Sequence, residues 1–266
     1  MSVDESLNRL GDGWSARPMP GRGRWLVWSW GAFAVSVAAV AVTGLVVPDT
    51  GAALVVLPVA QLVAFAIGPF LRRLRLRQLL GDRRYRTVSA EAVSTAARTA
   101  VTPSGVRGVT VRVGPVRGFT REFRAGRHAV IFVHERLPLR PEAARFMIAH
   151  EFAHLARYDE VRRPATVTTV LICWFCLAMM WLPAAVIAVV LVVAALGVAN
   201  RAMELDCDRL GARWAGPAAA EQAFSLIEAA HRQTPKNAIL TVRSLLGYPS
   251  PRRRLAACQA VRPGPG

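Results

Sequence analysis

The stretch AHEFAHLARYD, residues 149–159, carries two histidines four positions apart, with a glutamate directly after the first. On an α-helix, residues four apart fall on one face, about 40° from each other. His150 and His154 can therefore offer two imidazole nitrogens to one metal ion. Glu151 lies about 100° around the same helix, within reach of a water on that ion. The alternative is a helix with two surface or hydrogen-bonded histidines.

This H-E-x-x-H spacing is typical of zinc peptidases, in which the glutamate takes a proton from a water of lowered pKa. Because a catalytic zinc has three protein ligands, a third must come from elsewhere. The segment NRAMELDCDRLGARW, residues 200–214, offers Glu204 as that ligand. Asp208, one turn on, would hold a ligating histidine by its second ring nitrogen. The competing interpretation of Glu204 is a solvated acid on a helix near a membrane.

The composition favours a membrane protein. The chain of 266 residues is 53% hydrophobic and has a formal charge of +17, which suits apolar spans joined by basic loops. The four cysteines form no disulfide framework. Two of them make a C-x-x-C inside the apolar run VLICWFCLAMM, and we interpret both as apolar helix residues rather than a redox or metal site.

Two charge-free blocks, residues 25–48 and 50–71, are each long enough to cross a bilayer as a helix. Arginines precede the first block and the run RRLRLRQLLGDRRYR follows the second. The turn between the two blocks has no Arg or Lys, and its one charged residue is Asp49. The positive-inside rule then places both flanks in the cytoplasm. The basic run could also suggest a nucleic-acid or anionic-lipid partner. We interpret it as a topogenic anchor, so no nucleic-acid partner is expected.

A third charge-free stretch, residues 164–200, separates the two candidate metal motifs. As one straight helix it would run about 55 Å, and one crossing would leave Glu204 on the opposite side from His154. Two crossings that turn near Pro183 bring the chain back to the same side. The metal hypothesis therefore requires a second hairpin.

Between the hairpins, a helix is predicted over residues 89–101 and short strands in VRGVTVRVG, GFTREF and HAVIFV. A further helix should begin at Pro141, a residue favoured at the first helical position. His128, His134 and His231 have no partner spacing and are interpreted as surface or structural residues.

HEFAHLARYD, followed about 50 residues later by ELDCD, resembles the membrane-integrated gluzincins of the HtpX and CAAX-prenyl-endopeptidase type. BlaR/MecR-type sensor peptidases are a close second, since they also carry a cysteine before the second aspartate. Asp159 matches the aspartate that ends the family's first motif. GYPSPRRRL aligns with a late family segment, with Tyr248 in place of a histidine and Arg254 in register. The resemblance implies that Tyr248 or Arg254 contacts the oxyanion or the substrate. It also implies that the strand HAVIFV offers its edge to an extended peptide.

The sequence thus predicts a mainly α membrane protein with four transmembrane helices in two hairpins and a small α+β zincin-like catalytic domain. His150, His154 and Glu204 would bind one Zn²⁺ per chain, and Glu151 would be the general base. Asp208 would hold one ligating histidine by its second ring nitrogen. The partners would be the lipid bilayer of the cell membrane and an unfolded or flexible polypeptide, cut on the cytoplasmic side with little sequence preference. A regulatory sensor peptidase and a catalytically silent scaffold are the alternatives. The predicted segments are a tail (1–24), a hairpin (25–71), a catalytic region (72–163), a second hairpin (164–200) and a helical region with the third ligand (201–266).

Overall fold

The computed structural model describes residues 23–87, 108–116, 119–125, 128–137, 140–157, 159–233 and 248–261. The helices are α1 (Gly23–Val46), α2 (Pro48–Leu54), α3 (Val56–Gly81), α4 (Pro141–Arg157), α5 (Asp159–Met180), α6 (Leu182–Ala215), α7 (Pro217–Gln233) and α8 (Pro251–Gln259). The strands are β1 (Arg86–Thr87), β2 (Gly108–Gly114), β3 (Thr120–Ala125) and β4 (His128–His134). The helix predicted over residues 89–101 lies outside the described residues.

Within the part of the chain that the structure describes, three helical segments are long and apolar enough to cross a membrane: α3, the Arg163–Met180 part of α5, and α6. A fourth apolar segment, Trp30–Val46 in α1, is shorter. Outward-facing side chains on these helices are apolar and largely exposed; Leu45 is 83% exposed and Val190 is 69% exposed. So large an apolar surface suits contact with lipid. Length and composition therefore support three of the four predicted spans.

Polar side chains tie α1, α3 and α5 together inside this apolar region. The amide nitrogen of Gln61 donates to the hydroxyls of Thr168 and Thr169, at 3.3 and 3.1 Å. Thr169 in turn donates to the carbonyl oxygen of Ala32, at 3.2 Å. Interhelical hydrogen bonds of this kind hold helices together where water is absent.

Helices α5 and α6 form the predicted hairpin. The chain leaves helical geometry at Trp181, with φ −160° and ψ 98°, two residues before the expected turn at Pro183. The indole N–H of Trp174 donates across this turn to the carbonyl oxygen of Ala185, at 2.9 Å. Helix α6 has 34 residues and is about 51 Å long. It therefore continues without interruption from its apolar part to Glu204.

The strands form one sheet in the order β1-β2-β4-β3. β4 pairs with β2 in parallel and with β3 in antiparallel orientation. It lies inside the sheet and has no free edge, so the expectation that HAVIFV offers its edge to a peptide is wrong. The edge strand next to α4 is β3. Strand order depends on pairings between distant residues, which period-2 patterns do not encode.

The two faces of the sheet are covered by different helices. Ile131 and Val133 pack in the cluster that includes α4, whereas Val130 and Phe132 pack with Leu76 near the end of α3. This is the alternation expected of a strand buried on both faces. The sheet thus connects the end of an apolar helix to the helix that carries the H-E-x-x-H motif.

The C-terminal end of α3 is capped by a buried arginine from β2. The guanidinium of Arg112 donates to the carbonyl oxygens of Leu79, Leu80 and Tyr85. The last carbonyls of a helix have no partner within the helix, so a cationic donor there satisfies them and stabilises the helix end.

Candidate active site

Helix α4 holds the three motif residues in the interior of the protein. Every residue from 146 to 156 is buried. Its apolar side chains pack on the sheet and on α7, where the ring centres of Phe146 and Phe224 lie 5.4 Å apart. His150, Glu151 and His154 are at most 8% exposed. Buried polar groups need partners, and those of α4 come from α5, α6, β3 and α8.

The structure brings the three predicted metal ligands together. Nε2 of His150 and Nε2 of His154 lie 3.1 Å apart. The carboxylate of Glu204 lies 3.5 Å from the first of these nitrogens and 3.8 Å from the second. One ligand atom from each residue falls within 4.8 Å of the other two. Residues about 50 positions apart in sequence therefore converge because the hairpin returns α6 beside α4.

These residues fit a zinc ion. The Oε2 atom of Glu204 is buried and has no hydrogen-bond partner among the described residues. Leaving a buried carboxylate oxygen without a partner is costly, and a cation at this point removes the cost. Two imidazole nitrogens and one carboxylate are a usual three-ligand set for catalytic zinc. The geometry therefore suits a metal ion held by His150, His154 and Glu204.

A line of contacts behind His150 orients its ring. Nδ1 of His150 lies 3.0 Å from Oδ1 of Asp208. Arg254, on α8, donates to both oxygens of the same carboxylate, at 2.8 and 2.7 Å. A carboxylate on the second nitrogen of a histidine fixes its tautomer and aims the first nitrogen at the metal. The structure thus places Asp208 beside the second ring nitrogen of His150, and its role in orienting that ring stays a prediction.

His154 has a separate carboxylate partner. Its Nδ1 lies 3.0 Å from Oδ2 of Asp159, and the thiol sulfur of Cys207 lies 3.4 Å from the same nitrogen. Nε of Arg157 lies 3.4 Å from Asp159. Both histidines are therefore oriented through Nδ1, which leaves both Nε2 atoms on the metal side. The sequence indicated Asp159 only by resemblance and gave it no role.

Close packing of α6 against α4 depends on Gly211. A Cβ atom at this position would lie 3.2 Å from the backbone nitrogen of His150 and 3.4 Å from a ring carbon of Phe146. A contact of 3.2 Å is tighter than an ordinary van der Waals contact, so a larger residue requires α4 or α6 to shift slightly, close to Glu204 and Asp208. Gly211 therefore allows α6 to approach α4 closely beside the site, and no motif in the sequence marks it.

Glu151 faces the edge strand β3 rather than α6. The hydroxyl of Thr120 donates to Oε1 of Glu151, at 2.7 Å. Burial raises the pKa of Glu151 well above its usual range, and the nearby carboxylate of Glu122 raises it further. A hydrogen bond from a fixed hydroxyl holds the carboxylate in one orientation. Thr120 and Glu122 were not identified from the sequence, since their strand showed no motif.

The surrounding carboxylates favour positive charge at the metal position. Burial alone would lower the pKa of His150, but the carboxylates of Asp208 and Glu204 outweigh it and raise that pKa to about 10. Burial would also lower the pKa of Arg254, yet its hydrogen bonds to Asp208 raise it above the ordinary value. An environment that stabilises buried cations in this way is also one that stabilises a metal ion.

The two residues predicted to contact an oxyanion lie together beside the site. The guanidinium of Arg254 lies over the ring of Tyr248, 5.6 Å from its centre. Tyr248 is 40% exposed, whereas Arg254 is buried. One guanidinium nitrogen of Arg254 is 3.4 Å from Nε2 of His150 and 3.8 Å from Glu204. Its principal partner is Asp208, and an oxyanion role for either residue stays a prediction.

Comparison with known proteins agrees with this geometry. No curated protein and no solved structure matches the chain. The model of peptidase family M48 matches residues 120–261, a range that contains β3, the H-E-x-x-H helix, the third candidate ligand and α8. The match covers just over half of the chain, so this protein belongs to peptidase family M48, the members of which are metallopeptidases.

Proposed function

We propose that this protein is a membrane-bound zinc endopeptidase that hydrolyses unfolded or flexible polypeptide segments at the cytoplasmic face of the cell membrane. The observation that carries the proposal is the convergence of His150, His154 and Glu204 beside a glutamate held by the edge strand. Bound at these three residues, zinc would supply a Lewis acid for the scissile carbonyl and a water of lowered pKa.

Glu151 performs the proton transfers. Its carboxylate takes a proton from the attacking water as the water oxygen bonds to the carbonyl carbon. When the C–N bond breaks, Glu151 passes that proton to the leaving nitrogen. The hydrogen bond from Thr120 to Oε1 leaves Oε2 for this role. A silent scaffold needs no such base, so an intact and oriented Glu151 favours catalysis over that alternative.

The substrate is an extended strand that pairs with β3. Among the strands that the structure describes, β3 pairs only with β4, so its other edge can accept a peptide backbone. The hydroxyl of Thr120, at the start of this strand, contacts Glu151, so a peptide paired there passes the general base. Folded domains must open locally before they can pair in this way, which favours unfolded or flexible segments.

The proposed location follows from the apolar helices and their charges. Glu204 lies on the same continuous helix as the apolar part of α6 and follows its charge-free stretch by about one turn, so the site lies close to the membrane surface. Arginines flank the first hairpin and favour the cytoplasmic side. Segments of damaged membrane proteins at this surface are suitable substrates. This supports a role in protein quality control, as the resemblance to HtpX-type enzymes suggests.

Proteolysis of an unfolded model protein by the purified enzyme tests the proposal. The zinc-loaded protein in detergent is incubated with the substrate, and the products are mapped by mass spectrometry. We expect cuts at many sites, abolished by a chelator and by Glu151→Gln. A protein that binds zinc and is folded but cuts no unfolded substrate would overturn the proposal and favour a dedicated sensor peptidase.

A further inference from the structure

Glu122 lies on β3 with its carboxylate beside that of the general base. It is two residues from Thr120, so both side chains point to the same face of the strand. That face is the one towards α4, because the cross-strand partner of Glu122 is Ile131, which packs in the α4 cluster. Thr120, on the same face of β3, donates a hydrogen bond to Glu151 at 2.7 Å, and the Glu122 carboxylate is close enough to that of Glu151 to act on it electrostatically. Glu122 is half-buried, so solvent and ligands can still approach it.

No described cation forms an ion pair with Glu122. Arg124, on the same face of β3, instead donates to the carbonyl oxygen of Leu155, at 2.8 Å. The chain has 34 Lys and Arg but only 17 Asp and Glu, so an acid that pairs with none of the described basic side chains is unusual here. Two carboxylates side by side repel each other. A positive charge supplied from outside the chain would relieve that repulsion.

The free edge of β3 brings substrate side chains to this point. Alternate residues of a peptide paired with β3 point towards α4. Because Glu122 lies beside Glu151, the side chain that reaches it belongs to a residue next to the scissile bond. A Lys or Arg side chain is long enough to place its charge at Glu122 while its backbone stays paired with the strand.

We propose that Glu122 is a specificity-determining residue that binds a Lys or Arg side chain of the substrate beside the scissile bond. This inference rests on the proposed function. It adds a charge preference to the broad selection expected from the sequence. Cytoplasmic segments close to membrane spans are rich in Lys and Arg, so such a preference directs the enzyme to the segments nearest to it.

Cleavage of matched peptides tests the assignment. The peptides share one unfolded sequence, are acetylated and amidated, and carry Lys, Gln or Glu beside the scissile bond. For the wild-type enzyme we expect kcat/KM to be about tenfold higher with Lys than with Gln, and lower still with Glu, because a partly desolvated charge pair forms only with Lys. In the Glu122→Gln variant, kcat/KM for the Lys peptide should be about equal to kcat/KM for the Gln peptide. Glu142→Gln, which removes an exposed acid from the start of α4, should keep the wild-type ratio.

Several outcomes would overturn the inference. A wild-type ratio near one would do so, as would a Glu122→Gln variant that keeps the tenfold preference. If Glu122→Gln is inactive, Glu122→Asp should retain part of the Lys preference, and its loss there would count against the assignment. A parallel set of peptides has free N-termini and is trimmed one residue at a time. If cleavage is fastest when the α-amino group itself lies beside the scissile bond, the cation bound at Glu122 is the substrate's α-amino group instead of a Lys or Arg side chain. Failure of the wild-type enzyme to cut any peptide with zinc bound would contradict the proposed function itself.

Discussion

Arg254 donates two hydrogen bonds to Asp208, one to each carboxylate oxygen, at 2.8 and 2.7 Å. The two residues are 46 positions apart and lie on α8 and α6. Bidentate arginine–carboxylate pairs are strong and directional, so Arg254 holds Asp208 in the orientation that contacts Nδ1 of His150. Helix α8 therefore contributes to the candidate metal site, although it supplies none of the three proposed ligands.

Arg254→Gln should weaken zinc binding by about 10- to 100-fold, the usual effect of removing a group that orients a ligand. The zinc dissociation constant, measured by competition with a chromogenic chelator, checks this. Arg253→Gln changes an exposed neighbour and should leave zinc affinity unchanged. Wild-type zinc affinity combined with lost proteolysis in Arg254→Gln would instead favour the oxyanion role predicted from the sequence.

Substitutions within the metal site should separate ligands from the base. Glu204→Ala and His154→Ala should lose bound zinc, whereas Glu151→Gln should keep zinc and lose proteolysis. Zinc at about 1,000 times its dissociation constant stabilises a folded protein by about 4 kcal/mol. Zinc should therefore raise the Tm of the wild type and of Glu151→Gln, but not that of Glu204→Ala. Stoichiometric zinc in purified Glu204→Ala would rule out the ligand assignment.

How far the sequence predicts this site depends on how local each interaction is. His150, Glu151 and His154 are identified by helical spacing alone, and Glu204 follows from the need for a third ligand. The turn near Trp181 follows from the length of a charge-free stretch. These features need only the geometry of single helices and the thickness of a bilayer.

The remaining features depend on which elements pack together. The family resemblance implies that β4 offers its edge to a peptide, but β4 lies inside the sheet and β3 follows it in the strand order. Thr120 and Glu122 acquire their roles only because β3 packs on α4, and Gly211 only because α6 approaches α4 closely. Alternation along a strand indicates two faces without indicating what covers each of them.

The approach of α6 to α4 predicts the effect of filling the space at Gly211. Gly211→Val should destabilise the protein by about 1–3 kcal/mol, the usual cost of overpacking, and should weaken zinc binding because Glu204 moves away from His150. Thermal unfolding in detergent and zinc titration measure the two effects. Gly68→Val is the matched control, since a Cβ there meets nothing within 4 Å. Equal stability of Gly211→Val and Gly68→Val would mean that α4 and α6 accommodate the larger side chain without loss of stability.

The arrangement of the helices predicts which positions face the outside of the cell. The end of α3 packs on the sheet, the sheet packs on α4, and α4 contacts α6 near Asp208, so we expect Leu80 and Arg209 to lie on one side of the membrane. Asp49, beside the break between α1 and α2, and Leu182, beside the turn at Trp181, lie at the opposite ends of the apolar helices, and arginine placement predicts that they face the outside.

Single cysteines at these four exposed positions test the arrangement. They are introduced in a background in which the natural cysteines, Cys173, Cys176, Cys207 and Cys258, are replaced by alanine. An impermeant thiol reagent applied to intact cells should label positions 49 and 182 but not 80 and 209, while all four should react after the membrane is dissolved. External labelling of 80 and 209, with 49 and 182 protected, would place the site outside the cell and exclude cytoplasmic segments as substrates. External labelling of 209 but not 80 would separate α6 from the sheet, and His150 and Glu204 could then not share one zinc ion.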